Sequence, residues 1–383
     1  MIPFDYHPTT RFVFGSGRLS ELGQFARELG GHRILVVSDR GVIQAGHARR
    51  GIDVLREAGL TVHLFSGVQE NPTTATVDAG VAEARDFSPD LIIGLGGGSS
   101  LDCAKGINFL LTNGGRMQDY WGVGKAKLPM LPSIGVPTTA GTGSEAQSFA
   151  LISDAETHVK MACGDKKVAF KIALLDPDLT VTMPRMVTAL TGLDAMVHAV
   201  ESFVTTKRTP LSTLYSREAW RWLVRSLERV LTDPADVEAR SGMLIGACLA
   251  GMAIENAMLG AAHALANPLT ATFGMAHGQA VSLMLPHVIR YNAVAVEPLY
   301  RELLAEAQGV PGVPALSAGV QGLAEYLRNL TAQAGLKTAL SACQITRDAI
   351  PELAAGAARQ WTGTFNPRPV DAGSLAELYH QAF

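Results

Sequence analysis

Residues 90–106, reading DLIIGLGGGSSLDCAKG, constrain the fold more than any other stretch of this chain. The apolar run Leu91–Leu95 passes straight into Gly96, Gly97 and Gly98 and then into helix-forming residues. An unbroken apolar run is what a parallel strand covered on both faces requires, and a strand turning directly into a helix is the start of a β/α unit. The rhythm recurs at Phe12–Phe14, Arg33–Ser38, Thr61–Phe65, Ser133–Val136 and Ala173–Asp176. Helical spacing of Leu19, Leu22, Phe25 and Leu29, and a second helical candidate at Gly46–Ala58, fill the gaps. The first half is therefore expected to be an α/β domain with a Rossmann-like parallel sheet, with a polar hairpin between Ser153 and Lys171.

From Arg185 onward the β-branched runs stop, and spacings such as Leu223, Leu227, Val230 and Leu231 predict a second domain that is nearly all helical. Pro184 marks the expected boundary, giving an α/β domain over residues 1–184 and a helical domain over residues 185–383. Helix breaks are expected at Asp233-Pro234, Pro268, Pro286 and the segment Gly309–Pro314. With 47% hydrophobic and 17% charged residues, the composition is that of an ordinary globular enzyme. A net charge of -3 without a basic stripe argues against nucleic acid and anionic membrane partners. The four cysteines form no CxxC pair, which points to a reducing, cytoplasmic compartment rather than a disulfide framework. The longest apolar segment, Met243–Ile254, reads as too short to span a bilayer, and the N-terminus has no targeting pattern.

The glycine turn carries chemistry as well as shape. Gly96, Gly97 and Gly98 let backbone approach a pyrophosphate, and Ser99, Ser100 and the free N–H groups of the next helix can donate to its oxygens, although the spacing is not GxGxxG. Asp39, at a strand's carboxyl end, suits the adenosine ribose hydroxyls and favours NAD, while Arg40 leaves room for NADP. A second hydroxyl and glycine cluster, TTAGTGSE, runs from Thr138 to Glu145. Lys160 is a candidate for the ribose or phosphate region, and Asp102 with Lys105 reads locally as helix capping and surface pairing. In the helical half, Asp194 and His198 stand four apart and so share one helix face. His263 and His277 sit in apolar surroundings, where an imidazole needs a partner to offset its desolvation. One carboxylate and three imidazoles suit a divalent cation such as Fe(II) or Zn(II), the competing reading being hydrogen-bonded core histidines. His287 reads as structural.

GGGSSLDCAK at 96–105, PTTAGTGSE at 137–145, LLDPDLT at 174–180, GLDAMVHAVES at 192–202, GAAHALANPL at 260–269, AHGQAVSLMLPHVIRYN at 276–292 and NPRP at 366–369 together resemble the iron-containing (group III) alcohol dehydrogenase family over nearly the whole chain. The resemblance implies an architecture similar to that of dehydroquinate synthase, with an active site in the cleft between an N-terminal dinucleotide domain and a C-terminal helical domain. It implies a homodimer that interconverts a small alcohol or diol with an aldehyde or ketone, using NAD or NADP and a metal. It places the metal ligands at Asp194, His198, His263 and His277, and the cofactor positions at Asp39, Asn71, Gly96, Gly97, Gly98, Ser99, Asp102, Thr138, Thr139, Thr142 and Lys160. Two departures stand out: Asn267, where many relatives carry a histidine, and Ile254, where relatives often carry a phenylalanine. Phe149, Ile254, Asn267 and Thr362 are accordingly the expected substrate-pocket residues. Related activities on the same architecture are hydroxyacid–oxoacid transhydrogenation and polyol oxidation, and more distantly a dehydroquinate synthase-type lyase or a non-enzymatic binding protein.

Overall fold

A computed structural model describes residues 3–383, which form two compact units, His7–Met183 and Pro184–Phe383. Residues 3–6 group with the second unit rather than with the α/β unit in which the sequence alone places them. There the Tyr6 hydroxyl lies 3.0 Å from that of Tyr215.

The first unit is built on nine strands: β1 (Arg11–Phe14), β2 (Arg33–Asp39), β3 (Thr61–Val68), β4 (Leu91–Gly96), β5 (Gly122–Val123), β6 (Ser133–Pro137), β7 (Phe149–Ser153), β8 (Lys160–Gly164) and β9 (Ile172–Leu175). Five helices accompany them: α1 (Leu22–Glu28), α2 (Arg40–Gln44), α3 (His47–Glu57), α4 (Thr74–Phe87) and α5 (Gly98–Asn113). Six strands make one parallel sheet in the order β1-β9-β6-β4-β2-β3. Successive side chains on β2 enter opposite cores, as the two-residue period of a strand demands. Ile34 and Val36 join Leu22, Phe25 and Leu55, while Leu35 and Val37 join Val77, Val81 and Ile107. Helices therefore cover both faces, which explains why the strands read as continuous apolar runs. From β2 the chain proceeds outward to β3, whereas from β4 it proceeds the other way to β6 and β9. The carboxyl ends of β2 and β4 thus sit at the switch point, where open α/β sheets bind their ligands. Antiparallel β7 and β8 make a hairpin, with β5 added parallel to β8, but its first strand runs up to Ser153 and so precedes the range Ser153–Lys171 in which the sequence places the hairpin.

The second unit contains eight α-helices among the described residues: α6 (Arg185–Val204), α7 (Pro210–Thr232), α8 (Val237–Glu255), α9 (Ala261–Phe273), α10 (His277–Glu306), α11 (Gly319–Gln333), α12 (Ile350–Ala358) and α13 (Ala372–Gln381). Contrary to the sequence reading, α6 and α8 are long and apolar enough to cross a bilayer, but 83% and 67% of their apolar windows are buried inside the protein, so that apolarity serves the core. Pro268 and Pro286 do not break helices either: both lie inside, in α9 and α10. A mid-helix proline costs on the order of 3 kcal/mol. In α9 the buried apolar face formed by Ala264, Leu265 and Leu269 offsets that loss, and the Pro268 ring itself packs near Gly356. The real break between α9 and α10 is Gly274, in left-handed conformation at φ 64°, a C-terminal cap for which glycine is suited.

Candidate metal and dinucleotide site

Three helices of the second unit converge on Asp194 Oδ1. Asp194 and His198 are one turn apart on α6, His263 lies in the first turn of α9, and His277 is the first residue of α10. The Nε2 atoms of His198, His263 and His277 stand 3.3, 3.7 and 3.8 Å from that oxygen. Donor atoms of Asp194, His263 and His277 all fall within 4.8 Å of one another. His198 completes the group, its ring stacked on that of His263 with centroids 4.9 Å apart. Asp194, His198 and His263 are buried, and the His277 side chain is 24% exposed, leaving the group open on one side.

Electrostatics follow from this crowding. Burial alone would push the Asp194 carboxyl up, yet His198, His263 and His277 hold it well below the usual carboxylate range. Burial would likewise lower His263, but Asp194 and Glu201 outweigh it and raise the imidazole to about 9. Asp194 Oδ1 and His263 Nε2 are buried without a hydrogen-bond partner among the described residues. Such atoms are costly unless something satisfies them. A carboxylate oxygen with three imidazole Nε2 atoms gathered within 3.8 Å of it fits a borderline divalent cation, tetrahedral or with room for one more oxygen.

In the first unit, Asp39, Asn71, Ser99, Thr138, Thr139 and Thr142 gather around the β4–α5 turn, whereas Lys160 opens β8. Thr138 N–H donates to Gly96 O at 2.9 Å. A Cβ at Gly98 would stand 2.6 Å from Thr142 Cγ2, and one at Gly97 would stand 3.3 Å from Thr139 Cγ2, so the two glycine and hydroxyl clusters meet only because glycine is there. Ser99 Oγ accepts from Asn71 N–H at 3.3 Å, and Asn71 has φ 52°. Asp39 caps α2 by accepting from Val42 N–H at 3.0 Å and accepts from Ser100 Oγ at 2.9 Å, tying β2 to the turn.

The surface reading of Asp102 and Lys105 is wrong, because both are buried. Lys105 Nζ donates to Ser144 O at 2.7 Å, Ser144 Oγ at 3.0 Å, Gln147 O at 2.8 Å and Phe149 O at 2.7 Å, and stands 3.8 Å from Asp102 Oδ1. Asp102 in turn accepts from Ser144 Oγ. Burial pushes the Asp102 carboxyl up, opposed by Lys105, the Ser144 hydroxyl and Lys160. Lys105 is thus an internal clamp on the segment after β6, and the ammonium's four acceptors account for its tolerance of burial.

Family models match both halves: "Iron-containing alcohol dehydrogenase" over residues 8–177 and "Fe-containing alcohol dehydrogenase family, C-terminal" over residues 188–383. The chain belongs to the iron-containing alcohol dehydrogenase family. It is 33% identical to a 1,3-propanediol dehydrogenase of Klebsiella pneumoniae, covering 99% of each chain, and 31% identical to an NAD-dependent methanol dehydrogenase of Bacillus methanolicus, covering 97% of each. Its fold superposes on an alcohol dehydrogenase from Oenococcus oeni with a TM-score of 0.95 at 27% identity over 100% of both chains.

Within this iron-containing alcohol dehydrogenase, the expected pocket residues have distinct surroundings. Asn267 lies one turn beyond His263 on α9, and its Nδ2 donates to Gln360 Oε1 at 2.8 Å. Ile254 is buried near the end of α8, and Thr362 is buried in a short 3-10 turn, Trp361–Phe365, with its hydroxyl lacking a hydrogen-bond partner among the described residues. The Phe149 ring lies on Gly164, where a Cβ would come 2.8 Å from Cδ1, so it packs across the β7–β8 pair. His287 on α10 is half-buried and outside the metal group. Sequence reasoning missed Glu201, which is buried with Oε2 2.6 Å from His263 Nδ1. The available signal was its spacing: Asp194, His198 and Glu201 follow one helix face at intervals of four and three.

Proposed function

We propose that this protein is a metal-dependent, NAD-linked alcohol dehydrogenase that interconverts a small alcohol or diol with the corresponding aldehyde or ketone. The observation that carries this reading is Asp194 Oδ1, buried at the centre of three imidazole Nε2 atoms with no hydrogen-bond partner among the described residues. A divalent cation held there would supply Lewis acidity toward a substrate oxygen, and a bound nicotinamide would supply the hydride donor or acceptor.

The chain's own residues do the rest. Asp194, His198, His263 and His277 would hold the cation, the first by charge and the others by neutral Nε2 lone pairs. Backbone N–H groups at the start of α5, freed of side chains by Gly97 and Gly98, would receive the pyrophosphate at the positive end of the helix. Asp39 would accept the ribose hydroxyls and oppose a 2′-phosphate. Asn267 does not carry the hydroxyl proton, because an amide does not titrate and its Nδ2 is already committed to Gln360.

The test is turnover of a panel of short alcohols, diols and hydroxyacids with NAD+ or NADP+, using protein loaded anaerobically with Fe(II) or Zn(II). NADH production that stops on chelation and returns on re-addition of metal is the expected result. Turnover indifferent to chelation, or none with any alcohol, would remove the assignment.

A further inference from the structure

The start of α9 is capped by two side chains from elsewhere in the second unit. Gly260 precedes the helix and has no side chain to cap it. Ala262 N–H donates instead to Glu201 Oε1 at 2.7 Å, and Ala261 N–H donates to Asn366 Oδ1 at 3.2 Å. A Cβ on Gly260 would come within 3.0 Å of both acceptors, so glycine is what lets them approach. Asn366 is itself held by Asn292, exchanging hydrogen bonds of 3.0 and 2.6 Å, and donates to Arg368 O at 2.7 Å.

Capping would occupy only one oxygen of Glu201. The other lies 2.6 Å from His263 Nδ1, and both side chains are buried. A carboxylate oxygen at this distance takes the hydrogen bond, so the ring nitrogen facing it is the one that carries the N–H. In the neutral ring that a cation requires, the lone pair is thereby left on Nε2, the atom directed at Asp194 Oδ1.

We propose that Glu201 is a positioning residue: it fixes the tautomer and ring orientation of His263 for cation binding, and through the shared cap of α9 it ties that imidazole to the Asn366 segment. The inference rests on the metal reading of the site. Outer carboxylates of this kind orient ligating imidazoles, and losing one weakens metal binding by about 10- to 100-fold.

Glu201→Gln tests it with nearly unchanged shape. If the Gln carbonyl keeps the Ala262 N–H, its amide must donate to His263 Nδ1 and drive the proton to Nε2, the wrong atom for a ligand. If the amide is reversed, two donors meet at Ala262. Zn(II) affinity measured by competition with a chromophoric chelator should fall about 10- to 100-fold relative to wild type. In the zinc-loaded wild-type protein, nitrogen NMR of labelled histidines should show His263 protonated at Nδ1 and coordinated through Nε2, a measurement that decides the matter even where the variant does not fold. Equal zinc affinity in Glu201→Gln, or coordination through Nδ1, overturns the inference while leaving the metal site standing. A wild-type protein that binds no Zn(II) or Fe(II) overturns the metal reading and this inference with it.

Discussion

Two imidazoles of the helical unit, His263 and His287, are pulled in opposite directions by their neighbours. Carboxylates raise the first to about 9 against its burial, whereas burial, Arg290 and Arg328 lower the second to about 4. His287 therefore prefers to be neutral in the folded state. Its stabilising contribution is fully present above the ordinary value of about 6.5 and is lost as pH falls from there toward 4, because the unfolded chain binds the proton first. His287→Gln should flatten the acid limb of stability over that window, as read by denaturant unfolding at a series of pH values. An unchanged limb would mean that other groups control it. Asp39 offers a second residue-level test, because its charge and its shape have separable duties. Asp39→Asn keeps an acceptor for Val42 N–H but removes the charge, so it should raise the use of NADP+ relative to NAD+ while shifting stability by less than about 1 kcal/mol. A cofactor ratio left unmoved, by steady-state kinetics, would leave Asp39 with its capping duty alone.

Elements meet at this site through backbone as well as side chains, and that is where the sequence was least legible. The strands could be read because alternate residues feed two cores and the run stays apolar throughout, as in Ile34–Val37. Asp194 and His198 could be read because their spacing is local. Pro268 misled because the loss at one position is local, whereas the packing that outweighs it is tertiary. Lys105 misled for the same reason, since its acceptors lie about 40 residues away in sequence at Ser144, Gln147 and Phe149. Gly278 shows the consequence for chemistry. A Cβ there would stand 2.7 Å from Leu190 C and 2.9 Å from Leu190 Cα, and nearest of all to the carbonyl oxygen, none of which can swing aside. Gly278→Ala must push the start of α10 off α6 and carry His277 away from Asp194. Displacements on the order of 1 Å at a site that needs tolerances near 0.5 Å should weaken metal binding at least about tenfold. Equilibrium dialysis with Zn(II) measures this, and retained affinity would show that α10 can shift without moving His277.

At the scale of the molecule, each unit has its own source of stability: the α/β unit has two cores flanking one sheet, and the helical unit has buried helices that include α6 and α8. The grouping of residues 3–6 with the second unit had no sequence signal, because the Tyr6–Tyr215 contact spans 209 positions. All four metal-site residues belong to the second unit, so their mutual approach exists only while that unit is folded. A cation that binds the folded form and not the unfolded one stabilises it by mass action, about 2.7 kcal/mol when present at 100 times its dissociation constant. For a unit of about 200 residues, each kcal/mol is worth about 2–4 °C. Zn(II) or anaerobic Fe(II) at that excess should therefore raise the calorimetric unfolding temperature by about 5–10 °C, and chelation should reverse it. His277→Ala should abolish the shift while leaving the metal-free protein nearly unchanged, since the His277 side chain is the most exposed of the four. A shift that survives in this variant would place the stabilising ion elsewhere in the molecule.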